Sequence, residues 1–212
     1  MDINQTPLDP SQFGSNVPRR DDPNIAKLAA KYLKMRGWQL VGEMPNVKQL
    51  VMLAVPHTSN EDGWNAVMGI LTLGIDVKLM GKKELFRIPV IGPFLKWGGM
   101  ISIDRQKKGS TLQATLEQFN QQDQLWLALA PEGTRSYTDK WKTGFYHVAT
   151  SAGVPIALAY MDYKNKKTGI GKIVYPSGNY QKDMTEIMAF YAEINAKFPE
   201  KFSIDQRYSP DQ

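Results

Sequence analysis

A histidine and an aspartate stand five positions apart, directly after an apolar run. His57 and Asp62 enclose Thr-Ser-Asn-Glu, and the run Leu50–Val55 precedes them. Open α/β sheets bind ligands at the carboxyl ends of their strands, and a histidine there can act as a general base when its second ring nitrogen is oriented. A carboxylate one turn into the next helix can supply that orientation. Such a pair would resemble a catalytic triad without its serine, with a hydroxyl group of the substrate as the nucleophile.

The same residues have a simpler interpretation. Ser59-x-x-Asp62 fits a helix capping box, in which the carboxylate serves only the backbone. A lone histidine is also often structural. His147, the second of two histidines, lies in a helical pattern, and we expect it in the core or on the surface rather than at a catalytic position.

Two glycine-containing segments follow or precede other apolar runs. Pro131-Glu132-Gly133-Thr134-Arg135 comes after Leu125–Ala130, and Gly98-Gly99 precedes Met100–Ile103, which leads into Asp104-Arg105. Glycine lets the backbone approach a ligand, while backbone amides, a threonine hydroxyl and an arginine fork suit a phosphate. Glu132 can hold a basic group or a substrate hydroxyl. The alternative for the first segment is a plain turn with a surface arginine.

Taken together, these motifs carry a family resemblance. The order and spacing of H-x4-D, G-x3-I-D-R and P-E-G-T-R-S resemble the glycerolipid and lysophospholipid acyltransferase family, whose familiar member acylates lysophosphatidic acid. Trp141-Lys142-Thr143-Gly144 and Val154-Pro155-Ile156 resemble two further motifs of that family, so the resemblance covers roughly residues 50–160.

The resemblance implies roles for particular residues. It implies that His57 and Asp62 are catalytic, and that the acceptor's phosphate and glycerol region is bound by Arg105, Glu132, Gly133, Thr134 and Arg135. The implied activity is an O-acyltransferase of phospholipid biosynthesis. It would move a fatty acyl group from acyl-CoA or acyl-carrier protein to a lysophospholipid such as 1-acylglycerol-3-phosphate, with no metal or other cofactor.

The sequence departs from the family pattern at three places. Pro56 stands where asparagine is usual, Ala130 where phenylalanine is usual, and Leu158 where a second proline is usual. These changes leave the acceptor open, and glycerol 3-phosphate, an aminolipid or a lipid-linked sugar are the alternatives within the enzyme class. A non-catalytic module that binds lipid or acyl-carrier protein is the alternative outside it. The presence of both His57 and Asp62 argues against such a module.

The distribution of charge indicates which classes of binding partner to expect. Between Lys82 and Lys108 there are seven basic and two acidic residues, an excess equal to the whole net charge of +5. Such a field attracts phosphates, an anionic membrane surface or an acidic carrier protein. A nucleic-acid partner is not expected, since no recognition helix or aromatic stacking motif accompanies the basic segment. The apolar and basic segment Leu85–Trp97 fits either a membrane interface or a core-packed connection.

The absence of cysteine excludes disulfides and thiolate chemistry. We find neither a signal peptide nor a membrane-spanning stretch, and therefore expect a cytoplasmic protein, possibly peripheral at the cytoplasmic membrane.

Apolar runs alternate with helical patterns along the chain. This alternation predicts a single α/β domain, a sandwich with a mainly parallel central sheet and helices on both faces. We predict a flexible N-terminal segment over 1–23, the acyltransferase domain over 24–200 and a C-terminal tail over 201–212. In the first helix, Ile25, Leu28, Tyr32 and Met35 form an apolar stripe. In the last helix, Asp183 and Glu186 form a predicted capping pair, and Ile170–Tyr175 is a predicted edge strand.

Overall fold

A seven-stranded sheet forms the centre of the protein. The computed structural model describes residues 6–82, 100–103 and 110–210. In chain order the strands are β1 (Gln39–Leu40), β2 (Gln49–Val55), β3 (Val77–Lys82), β4 (Met100–Ile103), β5 (Leu125–Leu129), β6 (Ile156–Asp162) and β7 (Lys167–Val174). Their order across the sheet is β1-β7-β6-β2-β5-β3-β4. Every neighbouring pair is parallel except β6 and β7, which are antiparallel.

Helices cover both faces of this sheet, as predicted. They are α1 (Pro23–Met35), α2 (Asn60–Leu73), α3 (Ser110–Gln121), α4 (Gly144–Ala152) and α5 (Tyr180–Ala192). Side chains alternate along a strand, so β2 contributes to two cores. Leu53 and its neighbours of the same parity pack with α4 and α5, whereas Leu50 and Met52 pack with the end of α2 and the N-terminal segment. The mainly parallel α/β sandwich is therefore confirmed.

Two local predictions were wrong. The last helix begins at Tyr180 under an Asn179 cap and ends at Ala192, so it starts before the predicted capping residue Asp183. Asp183 is buried and accepts hydrogen bonds from the Tyr146 hydroxyl (2.8 Å) and from Ser177 rather than capping the helix. The strand predicted at the edge, β7, lies between β6 and the short strand β1.

The first helix does not bury the whole of its predicted apolar stripe, and another line of residues faces the domain. Ala29 and Leu33 are buried, and Leu33 packs with Trp38 in a small cluster beside the sheet. Leu28 and Met35 are 69% and 78% exposed. The helix packs on α2, and its buried line is made of the smaller Ala29 and of Leu33.

Both terminal segments contact the domain within the residues described. In the N-terminal segment, Val17 is buried and the Arg20 amide donates to the Gly74 carbonyl oxygen (2.9 Å). In the C-terminal segment, Asp205 is fully buried and accepts from the Trp141 amide (3.0 Å). The predicted division into a flexible N-terminal segment, a domain and a C-terminal tail stays a prediction.

Among the residues described, no helix has the length and apolar character needed to cross a bilayer. The segment Leu85–Trp97, the Gly98-Gly99 pair, Arg105, and Lys107 and Lys108 lie outside those residues.

Candidate active site

Two motif loops meet at the carboxyl edge of the sheet. Strands β2 and β5 are parallel neighbours, with Leu53 opposite Leu129, so the chain leaves both strands at the same edge. The loop after β2 carries His57, and the loop after β5 carries Glu132. A direct hydrogen bond joins them, from the His57 backbone N–H to Oε1 of Glu132 (2.9 Å). The H-x4-D motif and the P-E-G-T-R-S motif, the first and third along the chain, are therefore brought together by strand pairing.

Asp62 completes the predicted capping box. Ser59 is the N-cap of α2, its Oγ accepts from the Asp62 N–H (3.3 Å), and Oδ2 of Asp62 accepts from the Ser59 N–H (2.7 Å). The carboxylate also accepts from the Thr58 N–H (2.6 Å) and hydroxyl (3.1 Å), and from the Ser59 hydroxyl (2.8 Å). Asp62 is 1% exposed, so these donors replace the water that it has lost.

A tyrosine that the sequence analysis missed also holds Asp62. The Tyr163 hydroxyl donates to Oδ1 of Asp62 at 2.5 Å, and it accepts a longer bond from the Asn65 amide (3.4 Å). Asn65 is fully buried and accepts in turn from the Tyr32 hydroxyl (3.2 Å). Burial and the bond to Asp62 raise the pKa of Tyr163 well above its usual value, so the phenol stays protonated and remains a donor.

His57 is half-buried and tuned to be neutral. Burial lowers the pKa of its imidazole below 6.5, the nearby positive charge of Arg135 lowers it further, and the Asp62 charge opposes both. A neutral imidazole can accept a proton, as a general base must. Within the described residues, no hydrogen bond links the His57 ring to Asp62. The orienting role of Asp62 therefore stays a prediction, as does the catalytic role of both residues.

Glu132 is turned into the protein. It is 7% exposed, and burial raises the pKa of its carboxyl to about 7, an effect to which the Asp62 charge contributes. Its Oε1 accepts from His57, whereas Oε2 has no hydrogen-bond partner in the described part of the chain. The side chain predicted to contact a substrate thus contacts the backbone of the predicted base.

The rest of the third motif is closer to solvent. Gly133 has a φ of +65°, a backbone conformation that favours glycine, and a β-carbon there would lie 2.6 Å from Cε of the flexible Lys142 side chain. Thr134 is half-buried, and its hydroxyl accepts from the Ser136 N–H (3.1 Å). Arg135 is exposed. Its guanidinium is therefore free of the protein core, on the loop beside His57. Arg105, the other predicted phosphate ligand, lies outside the described residues.

The C-terminal segment fixes the chain that follows this loop. Asp205 accepts from the Trp141 backbone N–H (3.0 Å), the Trp141 indole donates to the Ser203 carbonyl (3.0 Å), and Arg207 donates to the Trp141 carbonyl (3.1 Å). Lys142, the next residue, covers Gly133. The segment Trp141-Lys142-Thr143-Gly144 therefore connects the third motif to the C-terminal segment. No cluster of three or more His, Asp or Glu side chains able to hold a metal ion occurs in the described ranges.

Comparisons with known proteins agree with this arrangement. A 1-acyl-sn-glycerol-3-phosphate acyltransferase of Salmonella typhimurium is 32% identical over 100 residues, which are 44% of this chain and 40% of that protein. The enzyme of the same name from Haemophilus influenzae is 24% identical over 184 residues, 79% of this chain and 76% of the relative. The chain thus matches less than half of the length of the Salmonella relative.

A solved structure shows the same fold. The crystal structure of the 1-acyl-sn-glycerophosphate acyltransferase from Thermotoga maritima superposes with a TM-score of 0.54 at 18% identity, covering 79% of this chain and 75% of that one. The model of the family named Acyltransferase matches residues 39–162, more than half of the chain and all of the strands β2 to β6. The chain belongs to the acyltransferase family.

Proposed function

We propose that the protein transfers a fatty acyl group from a thioester donor, acyl-CoA or acyl-carrier protein, to a hydroxyl of a lysophospholipid such as 1-acylglycerol-3-phosphate. The observation that carries the proposal is the position of His57 and the surroundings that favour its neutral form. It lies at the carboxyl end of β2, burial and Arg135 lower its pKa, and Asp62 is held by the capping box at the start of the following helix. The names of the relatives support the choice of acceptor.

The residues suggest a direct transfer. His57 takes the proton of the acceptor hydroxyl as the oxygen attacks the thioester carbonyl, and the Asp62 charge favours the imidazolium that forms. The tetrahedral intermediate then collapses, the carbon–sulfur bond breaks, and the imidazolium returns the proton to the departing thiolate. Atoms and charge balance without a covalent enzyme intermediate or a cofactor.

Acceptor recognition is assigned to the neighbouring loop and to Arg105. The Arg135 guanidinium is exposed beside His57, and the Gly133 backbone and the Thr134 hydroxyl stand in the same loop. A guanidinium can bind a phosphate through two parallel hydrogen bonds. A phosphate held by Arg135 would bring the acceptor's hydroxyl close to the imidazole.

An anionic membrane surface is the proposed location, on the cytoplasmic side. The outer face of α1 presents exposed Leu28 and Met35 beside a row of exposed lysines, Lys27, Lys31 and Lys34. The end of α1 is tied to the start of α2 by an ion pair between Arg36 and Glu61 (2.7 Å), next to Asp62. Apolar side chains beside lysines suit the headgroup region of a bilayer. A lysolipid in that surface would lie near the site.

Product analysis tests the proposal. Purified protein is incubated with labelled acyl-CoA or acyl-carrier protein and with a panel of lysophosphatidic acid, glycerol 3-phosphate, an aminolipid and a lipid-linked sugar, and products are identified by mass spectrometry. We expect acylated lysophosphatidic acid. His57→Ala should reduce turnover by about two to four orders of magnitude, while His147→Ala should retain it. Full turnover by folded His57→Ala would exclude the mechanism, and a product from another acceptor alone would replace the substrate. No product from any pair would favour a binding module.

A further inference from the structure

The loop that carries His57 is held by two carboxylates. The Glu132 carboxylate accepts the N–H of His57, and the Asp62 carboxylate accepts the N–H groups of Thr58 and Ser59. Three consecutive backbone amides therefore each donate to a carboxylate oxygen. One carboxylate comes from the loop after β5 and the other from α2, so the loop is fixed from both sides.

Helix capping accounts for Asp62 but not for Glu132. Glu132 is 7% exposed, and its Oε2 has no partner among the residues described. Burying a carboxylate with an unpartnered oxygen is unfavourable. Burial accordingly raises the pKa of Glu132 to about 7. Burial also raises the pKa of Tyr191, and the Glu132 charge adds to that effect. A residue kept at such a cost to stability has another use, and the bond to His57 identifies it.

We propose that Glu132 is a positioning residue, which fixes the backbone of His57 and thereby the place of the imidazole, and that it does not contact the acceptor. Arg135, three residues further on, is exposed and remains the residue of the same loop that is proposed to bind the acceptor. The third motif thus has two separate tasks, with one side chain directed to the base and another to the acceptor. This inference rests on the proposed role of His57 as the base.

The first test separates positioning from acceptor binding. A misplaced base lowers kcat, whereas a lost acceptor contact raises the acceptor KM. Glu132→Ala should lower kcat by about 100-fold, the effect of a displacement of about 1 Å, with the acceptor KM unchanged. Glu132→Gln keeps an amide oxygen for the His57 N–H and should restore most of kcat. Glu193→Ala, at the exposed end of α5, is the matched control and should behave as wild type. A raised acceptor KM with normal kcat in Glu132→Ala would overturn the proposal.

The second test needs no acyl transfer, so it stands even if the proposed function fails. The chain has two histidines, and protein labelled with 15N-histidine therefore shows two backbone amide signals, which His147→Gln assigns. A carboxylate acceptor shifts the His57 amide proton downfield. Glu132→Ala should move that signal upfield, and Glu132→Gln should leave it close to its wild-type place. If Glu132→Ala does not fold, Glu132→Asp replaces it, because the shorter side chain keeps the charge but not the reach. A His57 amide signal that is unmoved by the shortened side chain refutes the inference.

Discussion

The bond between Tyr163 and Asp62 gives a quantitative prediction. Tyr163→Phe removes one hydroxyl and leaves the ring, whose edge-to-face contact with Trp38 (5.0 Å between ring centroids) has no need of it. The lost bond is short, at 2.5 Å, and its acceptor is a carboxylate that is 1% exposed. Hydrogen bonds to charged groups contribute about 1.5–3 kcal/mol. We expect the free energy of unfolding to fall by about that amount, and Tm by about 3–12 °C for a domain of this size.

Thermal and chemical unfolding measure this change, and the chain offers a matched control. Tyr175 is 67% exposed, so Tyr175→Phe should shift Tm by no more than about 2 °C. Asp62 keeps the donors of Thr58 and Ser59 in Tyr163→Phe, and it should therefore stay close to its place. Turnover should therefore fall far less than in His57→Ala, and the acceptor KM should stay unchanged.

A double-mutant cycle isolates the bond itself. Unfolding free energies of Tyr163→Phe, Asp62→Ala and the double variant should give a coupling energy of about 0.5–3 kcal/mol, the range for residues in contact. Additive effects of the two substitutions would show that the hydroxyl and the carboxylate do not interact in solution. The account of Asp62 as a carboxylate held from several directions would then be wrong.

Other substitutions probe the remaining contacts. Arg135→Lys or Arg105→Lys should raise the acceptor KM more than the thioester KM, because lysine keeps the charge but not the two-pronged grip; tolerance of lysine at both positions would exclude them as the phosphate ligands. Burial raises the pKa of Glu132 from 4.5 to about 7, so its contribution to stability is complete below pH 4.5 and is lost as the pH rises through 7. The free energy of unfolding of the wild type should therefore fall between pH 5 and pH 8, and Glu132→Gln should remove roughly 2–3 kcal/mol of that fall. An equal fall in both proteins would contradict the assignment. Asp205→Ala leaves a buried backbone N–H without its acceptor and should lower the free energy of unfolding by about 1–3 kcal/mol. As a control, Asp123→Ala removes an ion pair whose carboxylate is 78% exposed, and it should lower that free energy by about 1 kcal/mol or less. Equal losses would contradict the structural role of the C-terminal segment.

The predictable parts of the fold are those with local signals. Buried parallel strands form apolar runs, which is why β2, β4 and β5 were located within one or two residues from the sequence. The face of α1 was not predictable in this way. Two lines of residues compete along that helix, and the line with Leu28 and Met35 is the more apolar. Packing on α2 instead buries the line with Ala29 and Leu33, a choice that depends on the partner helix.

The same distinction applies to the site. The capping box of Ser59 and Asp62 spans three residues, so the sequence was sufficient to predict it. The contact of Tyr163 with Asp62 spans 101 residues and exists because β6 is the parallel neighbour of β2. A usable signal was present, since Tyr163 follows β6 immediately and both strands end at the same edge. For Glu132, the motif indicated the residue but not its direction, which depends on how the two loops pack.

The structure also explains why the histidine and the aspartate are separated by four residues. Of the two interpretations weighed from the sequence, the helix cap is confirmed, whereas the role of Asp62 as partner for the base stays a prediction. Asp62 must occupy the third position of α2 to accept the N–H of its cap, Ser59. His57 then falls two residues before the cap, at the strand end, where its own N–H is free to be taken by Glu132. With its oxygens occupied by backbone, hydroxyl and phenol donors, Asp62 acts on the imidazole through its charge, which opposes the effects of burial and of Arg135 on the His57 pKa. A capped helix start thus holds a negative charge beside the imidazole, and the spacing of the motif follows from the turn of the helix.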